Sequence, residues 1–132
     1  MTITYLDTHE ILPEDLSRVF MNSGIKRPYQ DLERLQQMIH HADIVITAWA
    51  DDRMVGIARA LTDYSYCCYL SDLAVDREFQ QHGIGKELVR RVQDKIGEQC
   101  SLVLISAPTA VDYYPKIGFT RSDKAFVIAR NK

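Results

Sequence analysis

A loop with two glycines separates a strand-like run from a helix-like run in the second half of the chain. Residues 69–75 are mostly apolar, and residues 84–96 repeat apolar side chains at helical spacing. The loop itself reads Gln80, Gln81, His82, Gly83, Ile84, Gly85 and Lys86. Glycines let a ligand approach the backbone, and the first N–H groups of a helix suit an anion such as a pyrophosphate. The pattern predicts a phosphate-binding loop, although two glycines in such a turn can also be purely structural.

Two familiar phosphate-binding loops do not fit this stretch. A Walker loop requires Ser or Thr after Gly-Lys, but Glu87 follows Lys86. A dinucleotide fingerprint requires a third glycine, where this chain has Leu88, and an acidic residue about 20 residues further on. If this loop binds phosphate, it must therefore belong to another class of phosphate-binding fold.

A second motif near the C-terminus indicates which class of phosphate-binding fold this is. It reads Tyr113, Tyr114, Pro115, Lys116, Ile117, Gly118 and Phe119. The two motifs together resemble the signatures of the GCN5-related N-acetyltransferases, the GNAT superfamily, which are Gln/Arg-x-x-Gly-x-Gly/Ala and aromatic-Tyr-x-Lys-x-Gly-Phe. Their interval fits one helix, one strand and a second short helix. The resemblance covers about residues 44–119, and it implies acetyl transfer from acetyl-CoA to a primary amine.

Length and composition fit one domain over residues 1–132. Hydrophobic residues make up 46% and charged residues 26%, as in ordinary globular proteins. A formal net charge of −2 argues against nucleic-acid binding. No apolar run approaches the roughly 20 residues of a membrane span, and the first residues lack a signal-peptide pattern. We therefore expect a cytoplasmic protein without a membrane or nucleic-acid partner.

The cysteines and histidines do not form a recognisable metal or disulfide pattern. Three cysteines are an odd number, and Cys67 and Cys68 are adjacent in a strand-like run. Adjacent strand residues face opposite sides of a sheet, so these two thiols cannot act on one ligand. We expect free, largely buried thiols and no metal.

The order of elements predicts a mixed α/β sheet with a β-α-β cofactor unit, as in the GNAT acyl-CoA N-acyltransferase fold. Asp31 is expected to cap the second helix. The predicted strands are residues 3–6, 44–49, 54–61, 66–75, 102–105 and 126–129, and the predicted helices are 13–21, the segment after Asp31 and the segment after Gly83. The wholly apolar run 102–105 predicts a strand covered on both faces. In the GNAT fold, the strands that flank the pyrophosphate helix splay apart and the cofactor occupies the gap.

The resemblance implies that the cofactor is held mainly by backbone. Main-chain groups of Leu73, Ala74 and Val75 would bind the pantetheine arm, and one of these N–H groups would face the thioester oxygen. The loop from Gln80 to Lys86 would hold the pyrophosphate. Lys116 is placed near a CoA phosphate, with a solvated lysine as the alternative.

Two side chains are candidates for proton transfer. Tyr114 lies in the second motif and is predicted to protonate the departing thiolate, with a packing role as the alternative. Asp72 lies just before the cofactor-binding strand residues. It is predicted to deprotonate the amine directly or through water, or else to serve as a structural hydrogen-bond acceptor.

The acceptor amine is the least constrained part. The family position of the acceptor site points to Arg27, Tyr29, Tyr64 and Tyr66. The three tyrosines could hold a cation by their ring faces, whereas Arg27 hints at a carboxylate-bearing substrate such as an amino acid. A small-molecule amine is the leading prediction. A protein lysine or N-terminal acetyltransferase and a non-catalytic CoA-binding module are the alternatives, and a homodimer is left open.

Overall fold

The computed structural model describes residues 2–132. Five strands and three helices follow one another in the predicted order as far as β5: β1 Ile3–Asp7, α1 Pro13–Ser23, α2 Leu32–His41, β2 Ile44–Ala50, β3 Arg53–Thr62, β4 Cys67–Val75, α3 Ile84–Ile96 and β5 Ser101–Val103. Short 3₁₀ turns follow β4 and β5, at Arg77–Phe79, Pro108–Ala110 and Tyr114–Ile117. The last of these replaces the second short helix that the motif spacing predicted.

The strands form one mixed sheet in the order β1-β2-β3-β4-β5. The first four strands are antiparallel to their neighbours, and β5 runs parallel to β4. A parallel pair needs a crossover, and α3 supplies it. The mixed sheet with its β-α-β unit confirms the predicted fold class.

The helices cover the two faces of the sheet. Helices α1 and α2 pack on one face, where Leu16, Phe20 and Leu35 meet Ile57 of β3. Helix α3 packs on the other face through the predicted stripe Ile84, Leu88, Val92 and Ile96. This separation leaves one end of β4 between α1 and α3, where the candidate site lies.

Local signals in the sequence account for where the helices begin and end. Pro13 opens α1, and Gly24 ends it with a φ of 80° that favours glycine. The side chain of Asp31 accepts a hydrogen bond from the backbone N–H of Arg34 at 3.1 Å, which confirms the predicted cap of α2.

Two predictions for the C-terminal part are wrong. Strand β5 is limited to Ser101–Val103, and it is not covered on both faces, because Val103 is 48% exposed. Residues 126–129 form no strand, and Phe126 and Ile128 are 96% and 100% exposed. Their apolar, β-branched content favours an extended chain, but a strand also needs a hydrogen-bonded neighbour. Within residues 2–132, β5 pairs only with β4.

The cysteines follow the expected alternation of a strand. Cys68 is buried and Cys67 is exposed on the opposite face of β4, and all three thiols are free. Burial raises the pKa of the Cys68 thiol above its ordinary value. None of the helices in residues 2–132 is long and apolar enough to cross a membrane.

Candidate active site

A gap in the sheet exposes one edge of β4. On one side, β4 pairs with β3 as far as Val75, which lies opposite Gly56. On the other side, its pairing with β5 stops at Tyr69, which lies opposite Val103. From Leu70 to Val75, the β5-facing edge of β4 therefore has no neighbouring strand in the described chain. Leu73, Ala74 and Val75, the predicted cofactor-binding residues, lie on this open stretch, where an extended ligand can pair with the backbone.

The loop that follows β4 presents backbone N–H groups at the start of α3. Gly83 occupies the N-cap position with a φ of 79°, and no side chain caps the helix. The first helical hydrogen bond runs from the N–H of Glu87 to the carbonyl of Gly83 at 3.0 Å. The N–H groups of Ile84, Gly85 and Lys86 precede it and have no carbonyl within the helix to bind. Gln81 also has a positive φ, of 67°, so the loop curves in the way that anion-binding backbone requires.

The two glycines of the loop are needed for different reasons. Gly83 is required by its left-handed backbone, and a Cβ added there would meet no atom within 4 Å. The space in front of it is therefore open for a ligand. A Cβ on Gly85 would lie 2.6 Å from the hydroxyl oxygen of Tyr113. Gly85 thus makes room for Tyr113, which packs against the first turn of α3.

The loop is fixed to the end of β4 by polar contacts. The side-chain amide of Gln80 donates to the carbonyl of Val75 at 2.9 Å. The buried carboxylate of Asp76 accepts from Arg53 at 2.6 Å and from the backbone N–H of Glu78 at 2.9 Å. Gln80 therefore contributes to the site by holding the loop. His82, Lys86 and Lys116 are exposed.

Tyr114 is the first residue of the turn Tyr114–Ile117, which follows β5. Its ring packs edge-on against Phe119, with centroids 5.6 Å apart, and against Tyr113 at 5.3 Å. Within residues 2–132 its hydroxyl has no hydrogen-bond partner. Burial raises the pKa of Tyr114, the nearby Tyr113 raises it further, and the positive charge of Arg27 lowers it. The hydroxyl therefore keeps its proton at neutral pH, and Arg27 lies close enough to influence it.

Asp72 is enclosed by two arginines. Its side chain is completely buried, and its two oxygens accept hydrogen bonds from Nε of Arg27 and Nε of Arg59, each at 2.5 Å. Asp72 lies opposite Arg59 beside a bulge in β4, where Ser71 is the extra residue. The carbonyl of Ser71 accepts from Arg27 at 2.7 Å, and its hydroxyl accepts from Arg59 at 3.0 Å. We call Arg27, Asp72, Arg59 and Ser71 the arginine cluster.

These contacts bear on the predicted role of Asp72. Both of its oxygens are engaged by guanidinium groups, as the alternative role of structural acceptor requires. A role as general base requires Arg27 to move away, because Arg59 is too buried to leave without a large cost. The assignment of Asp72 as the base therefore stays a prediction.

The structure separates the four predicted acceptor residues into two places. Arg27 and Tyr29 lie together in the connection between α1 and α2, and Tyr29 packs against the core beneath those helices. Tyr64 and Tyr66 belong to the β3–β4 hairpin, where the hydroxyl of Tyr64 donates to the carbonyl of Asp43 at 3.2 Å. Six extended residues separate Tyr66 from Asp72, roughly 20 Å at about 3.3 Å per residue. The tyrosines thus do not form one pocket around the reacting atoms.

The β3–β4 hairpin is closed by another aspartate, Asp63. Its carboxylate accepts from the backbone N–H groups of Ser65, Tyr66 and Cys67. These hydrogen bonds lower the pKa of Asp63, which therefore fixes the turn.

Two residues of the site and one contact are not predicted from the sequence: Arg59, Ser71 and the contact of Tyr113 with Gly85. Arg59 had a usable signal. It is the one charged residue in the apolar run 54–61, and a buried arginine needs an acidic partner. Asp72 is the one charged residue of β4 and is therefore the partner to expect.

Comparison with known proteins agrees with this arrangement. Residues 14–129 match the sequence model of the acetyltransferase (GNAT) domain. The chain therefore belongs to the GNAT family of acetyltransferases. It is similar to GCN5-related N-acetyltransferase 1 of Arabidopsis thaliana, a chloroplastic protein, with 28% identity over 112 residues. That alignment covers 80% of this chain and 55% of the relative. The chain spans just over half the length of this relative.

Solved structures share the fold. A probable acetyltransferase of Staphylococcus aureus superposes with a TM-score of 0.84 at 20% identity, covering 98% of this chain and 100% of that one. The aminoglycoside N-acetyltransferase AAC(6')-Iy, solved in complex with CoA, superposes with a TM-score of 0.73 at 16% identity, covering 99% and 96%.

Proposed function

We propose that this chain transfers the acetyl group of acetyl-CoA to a primary amine of a small molecule. The observation that carries the proposal is the continuity of two backbone features. The open edge of β4 ends at Val75, and the connection 76–82 joins it to the uncapped N-terminus of α3 at Gly83. An extended pantetheine arm and a pyrophosphate need those two features in that order. Membership of the GNAT family and the CoA complex of AAC(6')-Iy support the same cofactor.

The proposed cofactor contacts use backbone groups on the open edge of β4 and at the start of α3. Main-chain groups of Leu73, Ala74 and Val75 pair with the pantetheine amides, and one N–H polarises the thioester carbonyl. The N–H groups of Gln81 to Lys86 hold the pyrophosphate. Lys86 and Lys116 are exposed and available to CoA phosphates.

Acetyl transfer then requires two proton movements. The amine nitrogen attacks the thioester carbonyl carbon, the C–N bond forms, and the C–S bond breaks to release a thiolate. Tyr114 gives its proton to that sulfur. With ordinary pKa values of about 10 for the phenol and 8.5 for the thiol, this transfer is uphill by about 2 kcal/mol. Burial raises the pKa of Tyr114 and adds to that cost, and the charge of Arg27 offsets part of it.

The amine must also lose a proton. An alkylammonium with a pKa of about 10.4 is roughly one part in 2,500 neutral at pH 7, so a base accelerates the reaction. Asp72 is the predicted base, directly or through water, only in a state in which Arg27 has released its carboxylate. While Arg27 stays paired with Asp72, as in the structure, the proton leaves to water instead.

The test is a thiol-release assay with acetyl-CoA and a broad panel of amines, combined with calorimetry of acetyl-CoA binding. We expect binding, CoA release that depends on an amine, and an acetylated product by mass spectrometry. Absence of acetyl-CoA binding would refute the proposed acetyltransferase activity. Binding without turnover on any amine would instead favour the non-catalytic module, and turnover on peptides alone would favour the protein acetyltransferase.

A further inference from the structure

The most informative charged group outside the cofactor slot is the arginine cluster. It contains two arginines and one aspartate, so the three ionised side chains carry one net positive charge. Asp72 has no exposed surface and Arg59 has 10%, whereas the side chain of Arg27 is 21% exposed. Arg27 is therefore the member of the cluster through which the net positive charge can act on a bound molecule.

Arg27 is also held in a fixed orientation. Its Nε donates to Asp72 at 2.5 Å, one Nη donates to the carbonyl of Lys26 at 2.7 Å, and the other donates to the carbonyl of Ser71 at 2.7 Å. A guanidinium has five N–H donors. Among the described residues, one N–H on each Nη nitrogen is therefore left without an acceptor. Two neighbouring donors of a planar guanidinium are suited to binding both oxygens of a carboxylate.

We propose that Arg27 binds a carboxylate of the acceptor, so that the substrate is an amine that also bears a carboxylate, as amino acids do. This inference rests on the proposed function. Arg27 donates to the side chain of Asp72 and to the carbonyl of Ser71. These residues directly precede the proposed cofactor-binding stretch 73–75, so an acceptor anchored by its carboxylate lies beside the open edge of β4. Three existing hydrogen bonds fix the guanidinium before the substrate arrives, and little conformational freedom is lost on binding.

The same charge excludes another class of acceptor. A polycationic amine, such as an aminoglycoside, would bring further positive charge toward Arg27. The neighbouring carboxylate cannot compensate, because both oxygens of Asp72 are already engaged and buried. Repulsion of one class and attraction of another together give specificity.

Pairs of compounds that differ only in the carboxylate test the proposal. Phenylalanine is compared with phenethylamine, and lysine with cadaverine, by kcat/KM in the thiol-release assay. We expect the amino acid of each pair to be favoured by about 10-fold to 100-fold, the usual value of a charge-assisted hydrogen-bonded pair. In Arg27→Gln this preference should fall to near one through a higher KM for the amino acid. Arg27→Lys should restore part of it.

Arg18→Gln is the matched control, because Arg18 is an exposed arginine of α1 paired with Asp15. It should keep the wild-type preference. Equal use of both members of each pair by the wild-type chain would overturn the carboxylate proposal and leave the acetyltransferase proposal intact.

A binding measurement keeps the inference separate from turnover. N-acetylphenylalanine and N-acetylphenethylamine are titrated into the CoA-bound protein, and binding is followed by calorimetry. Tighter binding of the acid, lost in Arg27→Gln, supports the carboxylate site even if no tested amine is acetylated. Equal affinities, or a preference that survives Arg27→Gln, overturn it.

Discussion

In the proposed site, the cofactor side is built from main chain and the acceptor side is built from charged side chains. On the cofactor side, the important groups are the open backbone edge of β4 and the N–H groups at the start of α3. On the acceptor side they are the side chains of Arg27, Asp72 and Arg59, which hold one another by hydrogen bonds of 2.5 Å.

The difference predicts how each side responds to substitution. A backbone site tolerates many side chains but depends on glycines, whose loss changes the shape of the chain. A buried ion cluster depends on each of its members, because the removal of one leaves an uncompensated charge. Tyr114 belongs to neither group, and its proposed contribution is a single proton.

The largest effect is expected from Tyr114→Phe. The change keeps the ring, and with it the packing against Phe119, but removes the donor. We expect kcat and kcat/KM to fall together by about 10²–10⁴-fold, the range for general acid catalysis. The affinity for acetyl-CoA, measured by calorimetry, should hardly change. Near-parental turnover, measured where chemistry limits the rate, would make Tyr114 a packing residue.

Asp72→Asn should be the most destabilising change in the site. It leaves Arg59 buried without its carboxylate, and breaking such a pair costs about 3–5 kcal/mol of the free energy of unfolding. Urea denaturation measures this loss. Arg18→Gln, which breaks an exposed pair, should cost less than about 1 kcal/mol. A fully stable Asp72→Asn variant with reduced kcat would favour the base over the structural role.

The same division explains what the sequence could and could not predict. The loop from Gln80 to Lys86 is local, so its glycines and its position before a helix could be recognised from adjacent residues. The pairing of Arg59 with Asp72 depends on the register of β3 against β4, which the bulge at Ser71 shifts. A bulge leaves little trace in composition, so Asp72 was identified as a site residue without its partners.

The error at residues 126–129 has a different cause. Their side chains favour an extended backbone, and that preference is local. Whether an extended segment becomes a strand depends on a neighbour elsewhere in the fold, and the free edge of β5 is only three residues long. Strand propensity therefore indicates the backbone conformation of a segment, but it does not indicate whether that segment pairs with another strand.

A smaller effect is expected from Gly83→Val, which separates backbone strain from ligand contact. A valine at φ 79° is strained, which costs about 1–2 kcal/mol, and its side chain would stand in the open space of the loop. We expect acetyl-CoA affinity to fall by at least about 10-fold. Gly97→Val is the control, because Gly97 has φ 76° at the other end of α3 and also has no atom within 4 Å of an added Cβ. It should lose at least as much stability, because the ψ of −174° at Gly97 lies in a backbone region used almost only by glycine, and it should keep full affinity. Equal affinities of the two variants for acetyl-CoA would show that the loop at Gly83 does not bind the cofactor's phosphates.

The smallest effect is expected at the contact between Gly85, in the first turn of α3, and Tyr113, in the second motif. A methyl group at Gly85 would lie 2.6 Å from the Tyr113 hydroxyl, so Gly85→Ala must push that ring away from α3. We expect a net loss below about 1 kcal/mol, because the hydroxyl ends an exposed side chain that can turn away and alanine favours the helix by up to about 1 kcal/mol over glycine. In a Tyr113→Phe background the clashing oxygen is absent, and Gly85→Ala should then become neutral or stabilising. A double-mutant cycle of unfolding free energies measures this coupling, and strict additivity would show that Gly85 is not there to accommodate Tyr113.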